Sequence, residues 1–143
     1  MGALPDLDVC SPGATVALGL GYLRTNDWHA ASKLEIPCTD YQLTTIRPDL
    51  ALLRATARCL ILWDQVGSSS TWLHSQMPPL LRGSLRSLVH RWADLPLGEC
   101  QARVAAHVSL LSGFCLGMGL KFAGSQDRNA ANTLRAAAEE LLR

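Results

Sequence analysis

The sequence predicts an all-α fold, and three observations carry that prediction. Leucine supplies 26 and alanine 18 of the 143 residues, whereas valine and isoleucine together supply nine. Leucine and alanine favour helices, and β-branched residues favour strands. Apolar residues recur at spacings of three and four over long stretches, the period of an amphipathic helix. Charged residues make up only 17% of the chain, below the roughly 25% usual in globular domains. So apolar a surface on a helical chain predicts faces that neighbours cover.

The elements follow in order. Residues 1–8 are expected to form a flexible N-terminus. Cys10-Ser11-Pro12-Gly13 is turn chemistry in which Ser11 caps a helix that starts at Pro12, where proline costs least. That helix runs from Ala14 to about Leu23, with Val16, Leu20 and Leu23 on its inner face. Asn26-Asp27 breaks it, Trp28–Leu34 forms a short partner helix, and Pro37 ends the pair. Asp40–Ile46 reads as a helical turn. Pro48–Val66 is the clearest helix: Pro48 suits the first position and Asp49 complements the dipole. It is apolar on most sides, with stripes at Leu50, Leu53, Ala57 and Leu60 and at Leu52, Ala55, Cys59 and Leu62. Only a narrow wet edge, Arg47, Arg54 and Arg58, relieves it, so it must be covered on most sides. Gly67-Ser68-Ser69-Ser70 reads as a flexible loop. A helix from Pro79 to Leu95 then carries Leu81, Leu85, Leu88 and Trp92 inward. Glu99–Leu111, with Val104, His107, Val108 and Leu111 on one face, precedes a separate glycine-rich helix ending at Phe122. Asp127 caps a last helix with Ala130, Leu134, Ala137, Ala138 and Leu141 inward.

Bulk properties exclude several classes. The net charge of +1 gives no basic field for nucleic acid. The four tryptophans lack the basic interleaving of a single-strand binder. Five scattered cysteines without a CxxC pair read as reduced thiols in an intracellular protein, not as a metal or redox site. The start Met1-Gly2-Ala3-Leu4 has no basic and apolar signal segment. The apolar run Val108–Leu120 is shorter than the roughly 20 residues that cross a bilayer, so no membrane partner is expected.

An internal repeat carries the functional reading. The segment Gly13-Ala-Thr-Val-Ala-Leu-Gly-Leu-Gly-Tyr22 aligns with Gly113-Phe-Cys-Leu-Gly-Met-Gly-Leu-Lys-Phe122. Gly13 matches Gly113, Ala17 faces Gly117, Gly19 matches Gly119, Leu20 matches Leu120, and Tyr22 faces Phe122. Small residues at these spacings let helix backbones approach closely, and Leu20 and the aromatic residue fill the space between layers. This is the packing of an α-solenoid, in which each unit buries its face against neighbours. Repeat cores fall at about 12–36 and 99–143, and 37–98 is a helical insertion or a degenerate repeat.

The pattern Gly-x-x-x-Ala-Leu-Gly-Leu-x-Tyr, followed by a short second helix, resembles the proteasome/cyclosome (PC) repeat. That repeat occurs in two large non-ATPase subunits of the proteasome regulatory particle and in the largest subunit of the anaphase-promoting complex. The stretches Pro12–Asn26 and Arg47–Asp64 are similar to the latter rather than to the proteasomal subunits, and the resemblance covers residues 9–143. It implies helix pairs that form a partial arc of a toroid. It implies a non-catalytic scaffold in a cell-cycle E3 ubiquitin ligase of the nucleus and cytoplasm. The implied partners are the cullin–RING module, the co-activator and the substrate-receptor subunit, with no cofactor and no small-molecule substrate. With about two repeat cores, the chain is expected to be a slice of a larger ring, with bare end faces and marginal stability alone.

Competing readings stay weaker. Gly19-Leu-Gly21 and Gly117-Met-Gly119 do not extend to a GxGxxG turn after a strand. His29, His74, His90 and His107 have no metal-ligand spacing. Ser68–Ser70 lack a GxSxG elbow, which leaves a small helical enzyme without a catalytic set. A segment of a proteasome regulatory subunit remains the nearer alternative. Arg82, Arg86 and Arg91, with His90, form a basic edge that is either solvated or a partner surface.

Overall fold

The computed structural model describes residues 7–143; of the expected flexible segment 1–8, only Leu7 and Asp8 fall within them, in helical backbone. The elements are α1 (Leu7–Gly21), α2 (Trp28–Ser32), α3 (Asp40–Thr45), α4 (Pro48–Ile61), α5 (Ser70–Gln76), α6 (Leu85–Arg91), α7 (Leu97–Phe122) and α8 (Arg128–Leu141). Single 3-10 turns lie at Trp63–Gln65 and Pro79–Leu81. Among the described residues there is no strand, so the fold is all-α.

Helix α4 organises the molecule. It packs between α1 on one side and α7 on the other, and it contributes to two separate cores. The smaller core joins Ala57, Ile61 and Leu62 to Ala30, Ala31 and Leu34 of the α2 region, with Leu18 of α1 against it. The larger joins Ala51, Ala55 and Cys59 to Leu110, Phe114 and Met118 of α7, and to residues of α3, α5, α6 and α8. The buried positions of α4 are mostly small: Ala51, Ala55, Thr56, Ala57 and Cys59, then Ile61. The stripe leucines Leu50, Leu53 and Leu60 are only half-buried. Small side chains win the contact faces because they let three helix backbones lie close together.

Several boundaries depart from the sequence reading. Helix α1 begins before Pro12 rather than at it. Pro12 there lacks the N–H that would bond the Asp8 carbonyl, and its ring crowds that carbonyl, so the helix carries the proline against local propensity. Helix α4 stops at Ile61, not Val66, because Leu62 leaves the helical region at ψ 45°. The loop Gly67–Ser70 is not slack: Ser69 caps α5, its hydroxyl accepting from Trp72 N. The Ser68 carbonyl accepts from Thr133 Oγ1 at 2.9 Å and its hydroxyl from Asn129 Nδ2 at 3.2 Å. The helix expected at Pro79–Leu95 is broken at Gly83, whose φ of +129° is closed to side-chain-bearing residues. Ser84 then caps α6. Leu81, Leu88 and Trp92 of its expected stripe are nevertheless buried.

The two helices expected across Glu99–Phe122 are one helix of 26 residues. Its glycines do not break it, because two of them sit flush against α4. By length and composition α7 could cross a membrane, with mean hydropathy 1.4 over its most apolar 18 residues; 44% of that stretch is buried inside the protein. In α8, Ala130 and Ala137 are buried as expected, Thr133 replaces Ala138 as an inward residue, and Ala138 is exposed.

Candidate helix-stacking interface

The close contacts fall on opposite sides of α4. On one side Gly19 of α1 meets Ala57: a Cβ built on Gly19 would lie 2.8 Å from the Ala57 Cβ and 3.0 Å from its Cα. On the other side Gly113 and Gly117 of α7 meet Leu52, Ala55 and Cys59. A Cβ on Gly113 would lie 2.5 Å from the Leu52 carbonyl oxygen and 2.7 Å from the Ala55 Cβ. Thr56 ties the second contact, its hydroxyl lying 2.9 Å from the Leu52 carbonyl and 3.2 Å from the Gly113 carbonyl of α7. A buried Thr oxygen is tolerated because it is satisfied across the interface.

The remaining repeat residues fall elsewhere. Gly13 has open space around it and Gly119 has only a Leu134 methyl at 3.9 Å. Ala17 is exposed. Leu20 and Leu120 do not fill a space between layers: they are 57% and 45% exposed. Val16 and Leu116, also a hundred residues apart, are 39% and 48% exposed. The same face of α1 and α7 is therefore turned to solvent: α4 covers one side of α1, and α4 with α3, α5, α6 and α8 covers the other sides of α7. Tyr22 is largely exposed, whereas Phe122 is half-buried against the larger core.

The repeat extends beyond the ten aligned residues, into the turn after each helix. Thr25 Oγ1 donates to the Tyr22 carbonyl at 2.8 Å, and Ser125 Oγ to the Phe122 carbonyl at 2.7 Å. The Asp27 and Asp127 amides donate to those hydroxyls at 3.4 and 3.2 Å. Arg24 and Gly124 have φ of 60° and 74°, and Asn26 and Gln126 of 55° and 59°. Asp27 then caps α2 and Asp127 caps α8. The signal lay in the sequence, in Thr25-Asn26-Asp27 against Ser125-Gln126-Asp127.

The first turn is a latch onto α4. Arg24 N and Asn26 N donate to the Leu60 and Ile61 carbonyls, both at 2.9 Å. These are the orphan acceptors at the end of a helix. Asn26 Nδ2 donates to Asp64 Oδ2 at 2.9 Å, and Asp64 N donates to Asn26 Oδ1 at 3.1 Å. Arg54 and Arg58 are not a wet edge: Arg58 donates to the Ala31 carbonyl at 3.0 Å and stacks over Trp28, and Arg54 reaches the Glu35 carbonyl at 3.4 Å. On the α7 side, Lys121 Nζ donates to the Val66 carbonyl at 2.8 Å.

The arginines named as a possible partner edge do not act as one group. Arg82 lies before α6 and donates to the Met77 and Ser75 carbonyls at 3.0 and 3.3 Å, closing the end of α5. Arg86 and Arg91 are exposed on α6. Arg86 lines a groove of about 640 Å³ against α8, with Glu139, Glu140 and Arg143.

Burial sets the state of the titratable groups near the interface. Desolvation pushes the Cys59 thiol up to about 12 and that of Cys115 to about 11. His107 is buried, with Nδ1 3.1 Å from the Leu81 carbonyl and no partner for Nε2. Desolvation lowers its pKa, against the opposing pull of that carbonyl and of Glu140. Because a carbonyl only accepts, the contact with Leu81 requires the proton on Nδ1. Among the described residues no three His, Cys, Asp or Glu gather as metal ligands. Of the serines of 68–70, Ser68 bonds α8 and Ser69 caps α5, while Ser70 is exposed at the start of that helix.

The family model described as the APC1 fifth domain matches residues 3–143. Anaphase-promoting complex subunit 1 of Arabidopsis thaliana is 37% identical over 141 residues, covering 99% of this chain and 8% of that protein. Anaphase-promoting complex subunit 1 of Homo sapiens is 39% identical over 140 residues, covering 96% and 7%. A negative regulator of mitosis from Emericella nidulans is 31% identical over 137 residues, covering 96% and 6%. The chain thus spans less than a tenth of the length of these relatives. With a family model matched across nearly all of its length, the chain belongs to the anaphase-promoting complex subunit 1 family, in the region of that family's fifth domain.

Proposed function

We infer that this chain is a non-catalytic stacking unit in the scaffold of the anaphase-promoting complex, a cell-cycle E3 ubiquitin ligase. One observation carries the reading: α4 is clasped between two helices of matching sequence, α1 and α7, through contacts that admit only glycine on the outer helices. Such a layer transmits position rather than performing chemistry. In this reading α1–α2, α4 with its short helices, and α7–α8 are three successive PC-type units of an α-solenoid, with 37–98 the degenerate one. The names of the relatives support a place in the anaphase-promoting complex over the proteasome regulatory particle. The partners are then subunits of that ligase — the cullin–RING module, co-activator and substrate receptor — in nucleus and cytoplasm.

Affinity purification with a tagged cullin subunit tests this. Recovery of the chain with the other ligase subunits is expected. Recovery with proteasomal ATPases, or with neither complex, overturns the reading.

A further inference from the structure

A pocket of about 210 Å³ opens between α2 and α5, beside the end of α4. Its lining comes from α2, α4, α5 and α7, so it lies between successive helices of this chain and at neither end of it. The loop before α5 is tied to α8 through Ser68. No hydrogen bond ties α2 to α5 among the described residues, and the pocket is the gap that results. Buried Leu62, Val66 and Phe114 give it an apolar base. Trp72 stands edge-on to Phe114, the ring centres 6.4 Å apart. Trp28 is 54% exposed and lies under Arg58, whose Cζ is 5.8 Å from the ring centre. Arg58 Nη1 donates to the Ala31 carbonyl at 3.0 Å, which fixes the guanidinium. Its Nε and Nη2 donors have no acceptor among the described residues. Gln65, exposed on the lining, also has its side-chain amide unbonded. No residue that lines the pocket carries a carboxylate.

We propose that this pocket docks a segment of a partner protein in which a large apolar side chain stands beside an acidic one. The apolar side chain packs between the two indoles, on Leu62, Val66 and Phe114. The carboxylate accepts from the free N–H groups of Arg58, a charge-assisted contact of the stronger kind. Exposed tryptophan and arginine held in place are the residues that dominate binding at protein interfaces. The volume supports a single side chain of a peptide, because it falls below the roughly 300–1,000 Å³ of a small-molecule site. A cationic side chain, which the aromatic rings alone would attract, is repelled by the fixed guanidinium. The proposal goes beyond the stacking reading. It rests on the pocket alone, so failure of the ligase reading leaves it standing.

The probe is the blocked peptide acetyl-Gly-Asp-Phe-Asp-Gly-amide, titrated into the whole chain under reducing conditions and followed by tryptophan fluorescence. Saturable binding is expected. Replacing both aspartates of the peptide by lysine, or its phenylalanine by alanine, is expected to weaken binding at least about tenfold. Gln65→Glu, on an exposed position, sets a carboxylate against that of the peptide and is expected to weaken binding about fivefold. Gln65→Lys is expected to strengthen it by a similar factor. Circular dichroism of both variants matching the parent chain confirms the fold. Absence of binding overturns the proposal. So does binding that the two Gln65 variants leave unchanged, or that the lysine peptide reproduces. Self-association of the chain that Gln65→Glu abolishes would assign the pocket to a second copy, and also overturns it.

Discussion

Gly117 of α7 lies directly against Cys59 of α4, so that a methyl group on the glycine would stand 2.6 Å from the cysteine sulfur and overlap its Cβ. Cys59 is itself buried, so neither side has room to yield without the helices moving apart. Gly117→Ala is therefore expected to destabilise by about 1–3 kcal/mol, the usual cost of overpacking, despite a helix-propensity gain of about 1 kcal/mol. Gly13→Ala, in open space on α1, is expected to stabilise by up to about 1 kcal/mol. Thermal unfolding of the two variants checks the contrast. Similar shifts in both would contradict the packing argument.

The latch between α1 and α4 makes a second contrast. Asn26→Ala removes two hydrogen bonds to Asp64 and puts alanine at φ 55°. A loss of about 1–2 kcal/mol is expected in urea unfolding. Gln126 holds the same backbone conformation without those bonds, so Gln126→Gly is expected to stabilise by about 1 kcal/mol, through relief of the left-handed backbone.

His107 gives a pH dependence of defined sign. Its folded-state pKa lies below the ordinary 6.5 because the ring is buried, with Glu140 and His74 the charged groups that act on it. The unfolded chain therefore takes up the proton first, and its contribution to stability is present above about pH 6.5 and is lost as pH falls. Urea midpoints between pH 7 and pH 5 are expected to fall, and the part of this slope due to His107 to vanish in His107→Gln. An unchanged slope in that variant would contradict the assignment.

The cysteines separate by burial. Cys10 and Cys38 are exposed, whereas Cys59 is buried. A thiol whose pKa is pushed to about 12 offers almost no thiolate near neutrality. Labelling with a maleimide is expected to modify Cys10 and Cys38 rapidly and Cys59 only on unfolding. Because its folded pKa is raised, Cys59 also contributes stability that is present below about pH 9 and is lost at higher pH.

Much of this architecture was legible in the sequence because its signals are local. The glycine spacing marked α1 and α7, Pro48-Asp49 marked the start of α4, and Asp127 the cap of α8. The faces were harder. Leu20 and Leu120 look like core residues by hydropathy, yet the closest contacts of α1 and α7 with α4 go to small residues, and these two leucines fall on the open side. The twin turns at residues 24–27 and 124–127 were visible as Thr25-Asn26-Asp27 and Ser125-Gln126-Asp127. Their role as a latch depends on where the Leu60 and Ile61 carbonyls come to rest, which is a tertiary fact. Pro12 inside α1, the break at Gly83 and the unbroken α7 are likewise decided by packing over local propensity.

Hydrogen exchange of the backbone amides most directly tests the claim that α4 is the shared layer of a helix stack. The amides of residues 55–59 in α4, covered on both sides, are expected to exchange the slowest, together with residues 110–118 of α7. Those of α1 and α8, each covered on one side, are expected to exchange faster. Exchange in α4 as fast as in α1 would show that α4 is not clasped, and would contradict the stacked arrangement.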